Sequence, residues 1–342
     1  MAPKKGGKDK KEKAKDPAED EGLIQSTQFV KKGYPEACAA RGVDPLALQL
    51  DRGEEGQAAF LRVTVHPGCS KPEAPLTPLH VRALCDALLP YKFLQRLCFW
   101  SVAVRDEGTQ AVANYLVPNK SLTSLELTDV GMAQAGCKAL GDALRVNSTL
   151  KELRLDHNPS IGIAGAALLG EGLRSNVGLE TLSLTFCMLD GTDAAATISS
   201  GVLSAPAIRV LELKGNRLGA DGVIRLLKTL KTSPSLFRID LSDTGFGVDP
   251  EVHGALEDCF ENNTVCHEYA LSHNPVGDSC VYRWLGLVRK LPHLICLDVT
   301  NQCDPLLFKQ MGDATANNKK DWLKRQKKKG GKKGKGGGKK KK

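Results

Sequence analysis

Between Ile208 and Ser235 the apolar residues keep two different periods. Ile208, Leu211 and Leu213 follow the spacing L-x-x-L-x-L, and Asn216 falls three residues on. The alternation at Leu211 and Leu213 predicts a short strand with one buried face. After Gly219 the spacing changes to Val223, Leu226, Leu227 and Leu230, which is one face of a helix. Neither half can bury its apolar side alone, so the unit requires copies of itself stacked against both flanks. Seven more copies occur. Their first positions are Leu94, Leu122, Leu150, Leu179, Leu236, Cys266 and Leu294; with Ile208 in its place the spacings are 28, 28, 29, 29, 28, 30 and 28 residues. Helical positions such as Val112 and Leu116, Leu140 and Leu144, Leu169 and Leu173 keep the same register. Asp249-Pro250 and Asp304-Pro305 predict helix starts, an N-cap followed by a proline at the first turn.

Upstream, the pattern is less regular. Tyr34 to Arg41 predicts a short helix that ends at Gly42, and Leu46, Leu48 and Leu50 alternate as a strand. Phe60, Val63 and Val65 fit a second strand before the proline-rich stretch HPGCSKPEAPLTP. These features predict an irregular N-terminal cap over residues 23–93, which would cover the core that the first repeat otherwise exposes.

Composition changes the picture at the two ends. The net charge of +9 is unevenly placed: residues 319–342 hold fourteen Lys and Arg against Asp321 alone, and residues 1–21 hold seven Lys against six acids. The rest therefore carries 9 − 13 − 1 = −5, a mildly acidic body with one strongly basic tail. No apolar residue follows Leu323, which predicts a disordered Lys/Gly-rich tail over 319–342 and a disordered charged segment over 1–22. The eight-repeat array with its C-terminal capping helix then occupies 94–318. There is no long apolar run to span a membrane, and the lysine-rich start has no apolar segment of a secretory signal behind it. The eleven cysteines lack a framework spacing and read as reduced thiols in an intracellular setting.

The period and motif resemble those of ribonuclease-inhibitor-type leucine-rich repeats, over roughly Leu94 to Met311. The resemblance implies an α/β solenoid, a horseshoe arc with a parallel sheet on the concave face and helices on the convex face. It also implies an asparagine after each strand that hydrogen-bonds turn backbone. That position holds Val102, Val130, Asn158, Cys187, Asn216, Thr244, Asn274 and Gln302, so the turns of the first two repeats depart from the pattern.

On this template the side chains between the buried leucines line the concave face. Seven are acidic and four basic, counting Glu126, Glu152, Asp156, Glu212, Asp240, Glu268 and Asp298 against Arg96, Arg154, Lys214 and Arg238. The candidate partner-binding residues are Trp100, Glu126, Arg154, Asp156, Glu212, Asp240 and Asp298. Trp100 is either a binding hot spot or a residue packed under the cap, and the charges are either contacts or a solvated face.

Catalytic and metal chemistry find little support. Cys259, Cys266, His253 and His267 lie close in sequence, but Cys266 occupies a buried repeat position, Cys259 a helical core face, and zinc-type spacing is absent. His157 and His273 share one repeat position, in DHNPSIG and SHNPVGD. No phosphate-binding loop, nucleophile elbow or HExxH helix occurs, so no enzyme and no cofactor is expected. Asn119, Asn147 and Asn262 stand in N-x-S/T triplets where a helix gives way to a strand, and read as turn residues.

Two function classes remain. One is a scaffold that binds other proteins through the concave face and an acidic polymer through the tail, with Lys324, Arg325, Lys327, Lys328, Lys329, Lys332, Lys333, Lys339 and Lys340 as its contacts. Lysine and glycine without interleaved aromatics supply non-specific electrostatics, to tubulin, to nucleic acid or to anionic lipid, rather than base readout. Lys/Gly-rich ends on such a repeat array resemble those of axonemal repeat proteins of cilia and flagella, which implies a cytoplasmic, ciliary location and a tubulin lattice as partner. The tail also fits a nuclear localisation signal and hence a nuclear or RNA-associated adaptor. The second class is a regulator of a small GTPase, because the Ran GTPase-activating protein shares the repeat type. That protein's tail is acidic, whereas this one is basic. Trp322-Leu323 offers the tail's one apolar anchor, or else packs on the last helix as part of the cap. Oligomeric state has no signature.

Overall fold

The computed structural model describes residues 30–46, 49–51, 60–64, 76–92 and 94–333, with backbone alone for 49–51, 60–64 and 329–333. The charged N-terminal segment 1–22 and the tail lysines Lys339 and Lys340 lie outside the described residues.

Each sequence unit folds as a strand followed by a helix. The strands are β3 (Arg96–Trp100), β4 (Ser124–Thr128), β5 (Glu152–Arg154), β6 (Thr181–Ser183), β7 (Val210–Glu212), β8 (Arg238–Asp240), β9 (Glu268–Ala270) and β10 (Cys296–Asp298). The helices after them are α3 (Arg105–Leu116), α4 (Gln134–Leu144), α5 (Gly162–Leu173), α6 (Gly191–Ser204), α7 (Gly219–Leu230), α8 (Pro250–Asn262), α9 (Asp278–Lys290) and α10 (Pro305–Lys333). All eight strands pair in parallel and in chain order, with Leu97, Leu125, Leu153, Leu182, Leu211, Ile239, Tyr269 and Leu297 in one buried row. Strands sit about 4.8 Å apart and packed helices about 8–10 Å apart, so a stack of such units bends with the sheet inside. The result is an open α/β arc, with the sheet concave and the helices convex.

Small residues tighten the convex layer in the middle. A Cβ placed on Gly172 of α5 would lie 2.4 Å from the Gly141 carbonyl oxygen of α4, so only glycine fits that helix crossing. The expected helix starts are present: Asp249 Oδ1 accepts from the Glu251 amide at 2.8 Å, and Asp304 Oδ1 from Leu306 and Leu307 at 2.8 and 3.0 Å.

The described residues of the N-terminal region hold regular elements where the sequence suggests an irregular cap. It contains α1 (residues 30–39), an antiparallel pair β1 (Gln49–Asp51) and β2 (Phe60–Thr64), and α2 (Pro78–Leu88). Strand β2 pairs in parallel with β3, matching Phe60 to Arg96, so β2 and α2 form one further strand–helix unit. Its spacing of 36 residues to the next strand, against 28 for a regular unit, hides it from the sequence period.

Turn satisfaction also differs from the expectation. Val130 lacks an amide side chain, yet its backbone N–H donates to Asn158 Oδ1 of the next repeat at 3.1 Å, as does Met132 N–H at 3.2 Å. Asn216 likewise serves Cys187 and Leu189, and Asn274 serves Thr244 and Gly245. One asparagine therefore fastens two repeats. At the opposite edge of the sheet Asn147 and Asn176 are buried and donate to carbonyls at and just after the end of the helix one repeat earlier. Asn119 and Asn147 are thus turn residues, and Asn262 is exposed with its amide on Asp258.

The last helix corrects the boundary drawn at 319. α10 continues to Lys333, well into the stretch that composition assigns to a disordered tail. Two causes are visible. Lys, Arg and Gln are good helix formers once a helix is already nucleated, and Trp322 is half-buried against Phe237 and His267 at ring distances of 5.9 and 5.8 Å. Trp322 therefore belongs to the C-terminal cap.

Candidate partner-binding face

Strand register turns the concave face into columns. One runs Cys98, Glu126, Arg154, Ser183, Glu212, Asp240, Ala270 and Asp298, and its neighbour runs Arg96, Ser124, Glu152, Thr181, Val210, Arg238, Glu268 and Cys296. Six of the seven sequence-selected residues come together here or immediately beside it; Trp100 stands at the end of β3.

Arg154 is the hub of the N-terminal half. Its Nε donates to Glu152 Oε1 at 2.7 Å and its Nη1 to Glu212 Oε2 at 2.8 Å, with Asp156 at 4.0 Å. Glu212 lies two strands away, and the side chain between them is the buried Ser183, small enough for the guanidinium to cross over. Burial alone would raise the Glu152 carboxyl, but hydrogen bonds from Arg154 and Ser124 hold it below the ordinary glutamate value. Asp156 Oδ1 accepts from Ser183 Oγ at 2.5 Å and the Thr185 amide at 2.9 Å. Arg154 and Asp156 are thus largely occupied by their neighbours. The sequence reading places Glu152 and Ser183 on the concave face without choosing them as contacts; the in-register row Arg154, Ser183, Glu212 shows their part in the network.

The C-terminal half is looser. Arg238 approaches Asp240 at 3.7 Å and Glu268 at 3.6 Å, both beyond hydrogen-bond distance. Asp240 Oδ1 accepts from the Ser242 amide at 2.9 Å, and the exposed Asp298 accepts from Ser272 Oγ at 2.7 Å. Glu126 accepts from Thr128 at 3.2 Å. Trp100 is 49% exposed at the far end of the same face.

The described tail residues lie on the C-terminal part of α10. Lys324, Arg325, Lys327 and Lys328 are exposed on the helix, while Lys329, Lys332 and Lys333 lie on its last described turns. The one acid nearby, Asp321, is paired with Lys324 at 2.9 Å.

The residues weighed for chemistry have structural surroundings. Cys259 and Cys266 are buried, and burial pushes both thiols up to about 12. His253 packs edge-on against Trp284, and no group of three or more metal-ligating side chains exists among the described residues. His157 and His273 share a backbone role, with φ of 57° and 60° at the turn after the strand. Asp129, Phe186, Gly215 and Asp243 hold the same left-handed position in other repeats. No described helix is long and apolar enough to cross a membrane.

Part of the repeat array is also matched among known proteins. A family model described as Leucine Rich repeat matches residues 146–170. The Tonsoku-like protein of Mus musculus is 38% identical over 94 residues, 27% of this chain and 7% of that protein. The Bos taurus Tonsoku-like protein is 39% identical over an equal span with the same shares. The matched segment is thus a small part of either relative. Among solved structures, Leiomodin-1 Actin-Binding Site 2 aligns at 24% identity over 37% of this chain and 74% of that one, with a TM-score of 0.32. An internalin (inlF) of Listeria monocytogenes aligns at 17% identity over 66% of this chain and 55% of its own, with a TM-score of 0.34. With eight strand–helix units in unbroken register and the motif matched at its centre, the chain folds as a leucine-rich-repeat solenoid.

Proposed function

We propose that this protein is a non-catalytic scaffold of the ciliary axoneme, which grips a protein partner on its concave face and tethers to an acidic lattice such as tubulin through its basic end. The observation that carries the tether is the exposed run of Lys324, Arg325, Lys327 and Lys328 on α10, with Asp321 already paired. A rigid helix presenting cations on a folded anchor attracts any polyanion, and the attraction weakens as salt screens it. The scaffold role rests on the repeat architecture, whose open sheet offers side chains to a partner along its whole length.

Co-sedimentation with microtubules across a salt series tests the tether. Binding should fall steeply with salt, vanish on deletion of residues 324–342, and survive a scramble of lysine and glycine order within that segment. Salt-independent binding, or binding undiminished by the deletion, would refute the tether and move the contact to the groove. Imaging the tagged chain in ciliated cells, with and without residues 324–342, tests the location. An exclusively nuclear signal that the deletion abolishes would favour the nuclear adaptor instead.

A further inference from the structure

Helix α10 does more than close the end of the stack. Its first three turns stand beside β10 on the concave side, and a pocket of about 260 Å³ opens between them and strands β8–β10. Its apolar side is Phe308, 41% exposed, backed by the buried Met311, Ala270 and Leu297; the polar lining comprises Arg238, Glu268, Asp298 and Thr315. The volume is that of a single long side chain rather than of a cofactor.

The charges around this pocket are unevenly satisfied. The Glu268 side chain is only 17% exposed, and its nearest cation is Arg238 at 3.6 Å, outside hydrogen-bond reach. A carboxylate so far removed from water gains from a donor that comes within about 3 Å. Asp298 stands exposed at the mouth with one hydrogen bond, from Ser272. Asp240, next to Arg238, adds a third acid. Against these three stand Arg238 itself and Lys319 of α10, which acts on the neighbouring Cys296. The balance stays negative, beneath an apolar wall long enough for an aliphatic stem.

We infer that this pocket takes the side chain of a lysine or arginine from the protein partner, its methylenes against Phe308, in front of Met311, and its cationic head between Glu268 and Asp298. The inference rests on the concave face being the binding face. It gives that partner a chemistry, a basic residue anchoring at the C-terminal end of the groove.

The chain contains four methionines, so labelling with 13C-methyl methionine gives a simple spectrum in which Met311 reports on the pocket. The full chain is titrated with the N-acetyl N-methylamides of arginine, lysine, norleucine and glutamate. The Met311 signal should shift saturably with arginine and lysine, and the norleucine and glutamate compounds should bind at least about threefold to tenfold more weakly. Asp298→Asn and Glu268→Gln, whose spectra should otherwise match the parent, should erase that preference. Equal affinity for norleucine would make the pocket merely apolar, preference for glutamate would make it an Arg238 anion site, and silence at Met311 would mean that nothing enters; each overturns the inference. Because the probes are small molecules, these outcomes do not depend on whether microtubules or any whole partner protein bind, so the scaffold reading fails or stands separately.

Discussion

Asn158→Ala is the sharpest perturbation of the stack. The side chain is fully buried and makes contacts on both sides: Nδ2 donates to the carbonyls of Leu127 and Leu155 at 2.7 and 2.9 Å, while Oδ1 accepts from the amides of Val130 and Met132. Alanine strands two buried donors and the Leu127 carbonyl, and leaves the Leu155 carbonyl with only the weak Cys187 thiol at 3.2 Å. Each unsatisfied group costs about 1–3 kcal/mol, and water entering the vacated volume recovers part of that, so a net loss of about 3–5 kcal/mol is expected. Because Val130 and Met132 belong to the preceding repeat, the damage must appear there. Urea unfolding measures the total, and amide hydrogen exchange locates it: the Val130 and Met132 amides should lose protection far more than those around Asn274. Asn262→Ala, at an exposed amide, is the control and should cost little. A loss below about 1 kcal/mol at Asn158, or unchanged exchange at Val130 and Met132, would show that the ladder does not fasten neighbouring repeats.

Two further outcomes follow from the C-terminal cap. Deleting residues 324–342 should leave the thermal midpoint almost unchanged, whereas deleting 319–342 also removes Trp322 and should cost about 1–3 kcal/mol; equal effects would place the tail in the core or Trp322 outside it. Burial depresses His253, His267 and His293 below the ordinary histidine value of 6.5, with His293 and Arg209 adding to the effect at His267. The unfolded chain therefore takes up protons first, so this stabilisation is complete above about pH 6.5 and is lost as pH falls through the lower folded values. Thermal midpoints should drop between about pH 7 and about pH 5, before the carboxylates titrate, and His267→Phe should flatten that slope; a flat parent profile, or an unaltered slope in the variant, would contradict the assignment.

The repeat register was legible because period is a property of sequence. Leu94, Leu122 and Leu150 recur at the spacing of one strand–helix unit, and every regular strand of the array appears where that recurrence puts it. What escaped are features that period cannot encode. The unit of β2 and α2 carries an insertion that breaks the spacing. The sequence shows Val130 lacking an amide, but not that Asn158 serves its turn from the next repeat. The length of α10 was hidden by composition: lysine-rich sequence reads as solvated chain, and the ring contacts of Trp322 come from Phe237 and His267, far upstream. In the groove, sequence gives the charges and their columns. It does not say that Arg154 reaches across Ser183, since that depends on two side chains choosing one rotamer together.

The course of α10 sets how the two charged surfaces relate. An acidic groove and a lysine tail on one chain invite the idea that the tail folds back and neutralises the groove. The course of α10 argues against it. Trp322 fixes the helix at the edge where β8 and β9 begin, and the backbone stays helical from there to Lys333. At 1.5 Å per residue those eleven steps extend about 16 Å as one rod, which cannot turn into the groove without unwinding. Arg154 satisfies Glu152 and Glu212 from within, while Glu268 and Asp298 keep acceptor capacity that none of Lys324 to Lys328 fills. Among the described residues, the exposed cations of Lys324 to Lys328 and the carboxylates of Glu268 and Asp298 therefore lie on different stretches of the fold, with no ion pair between them.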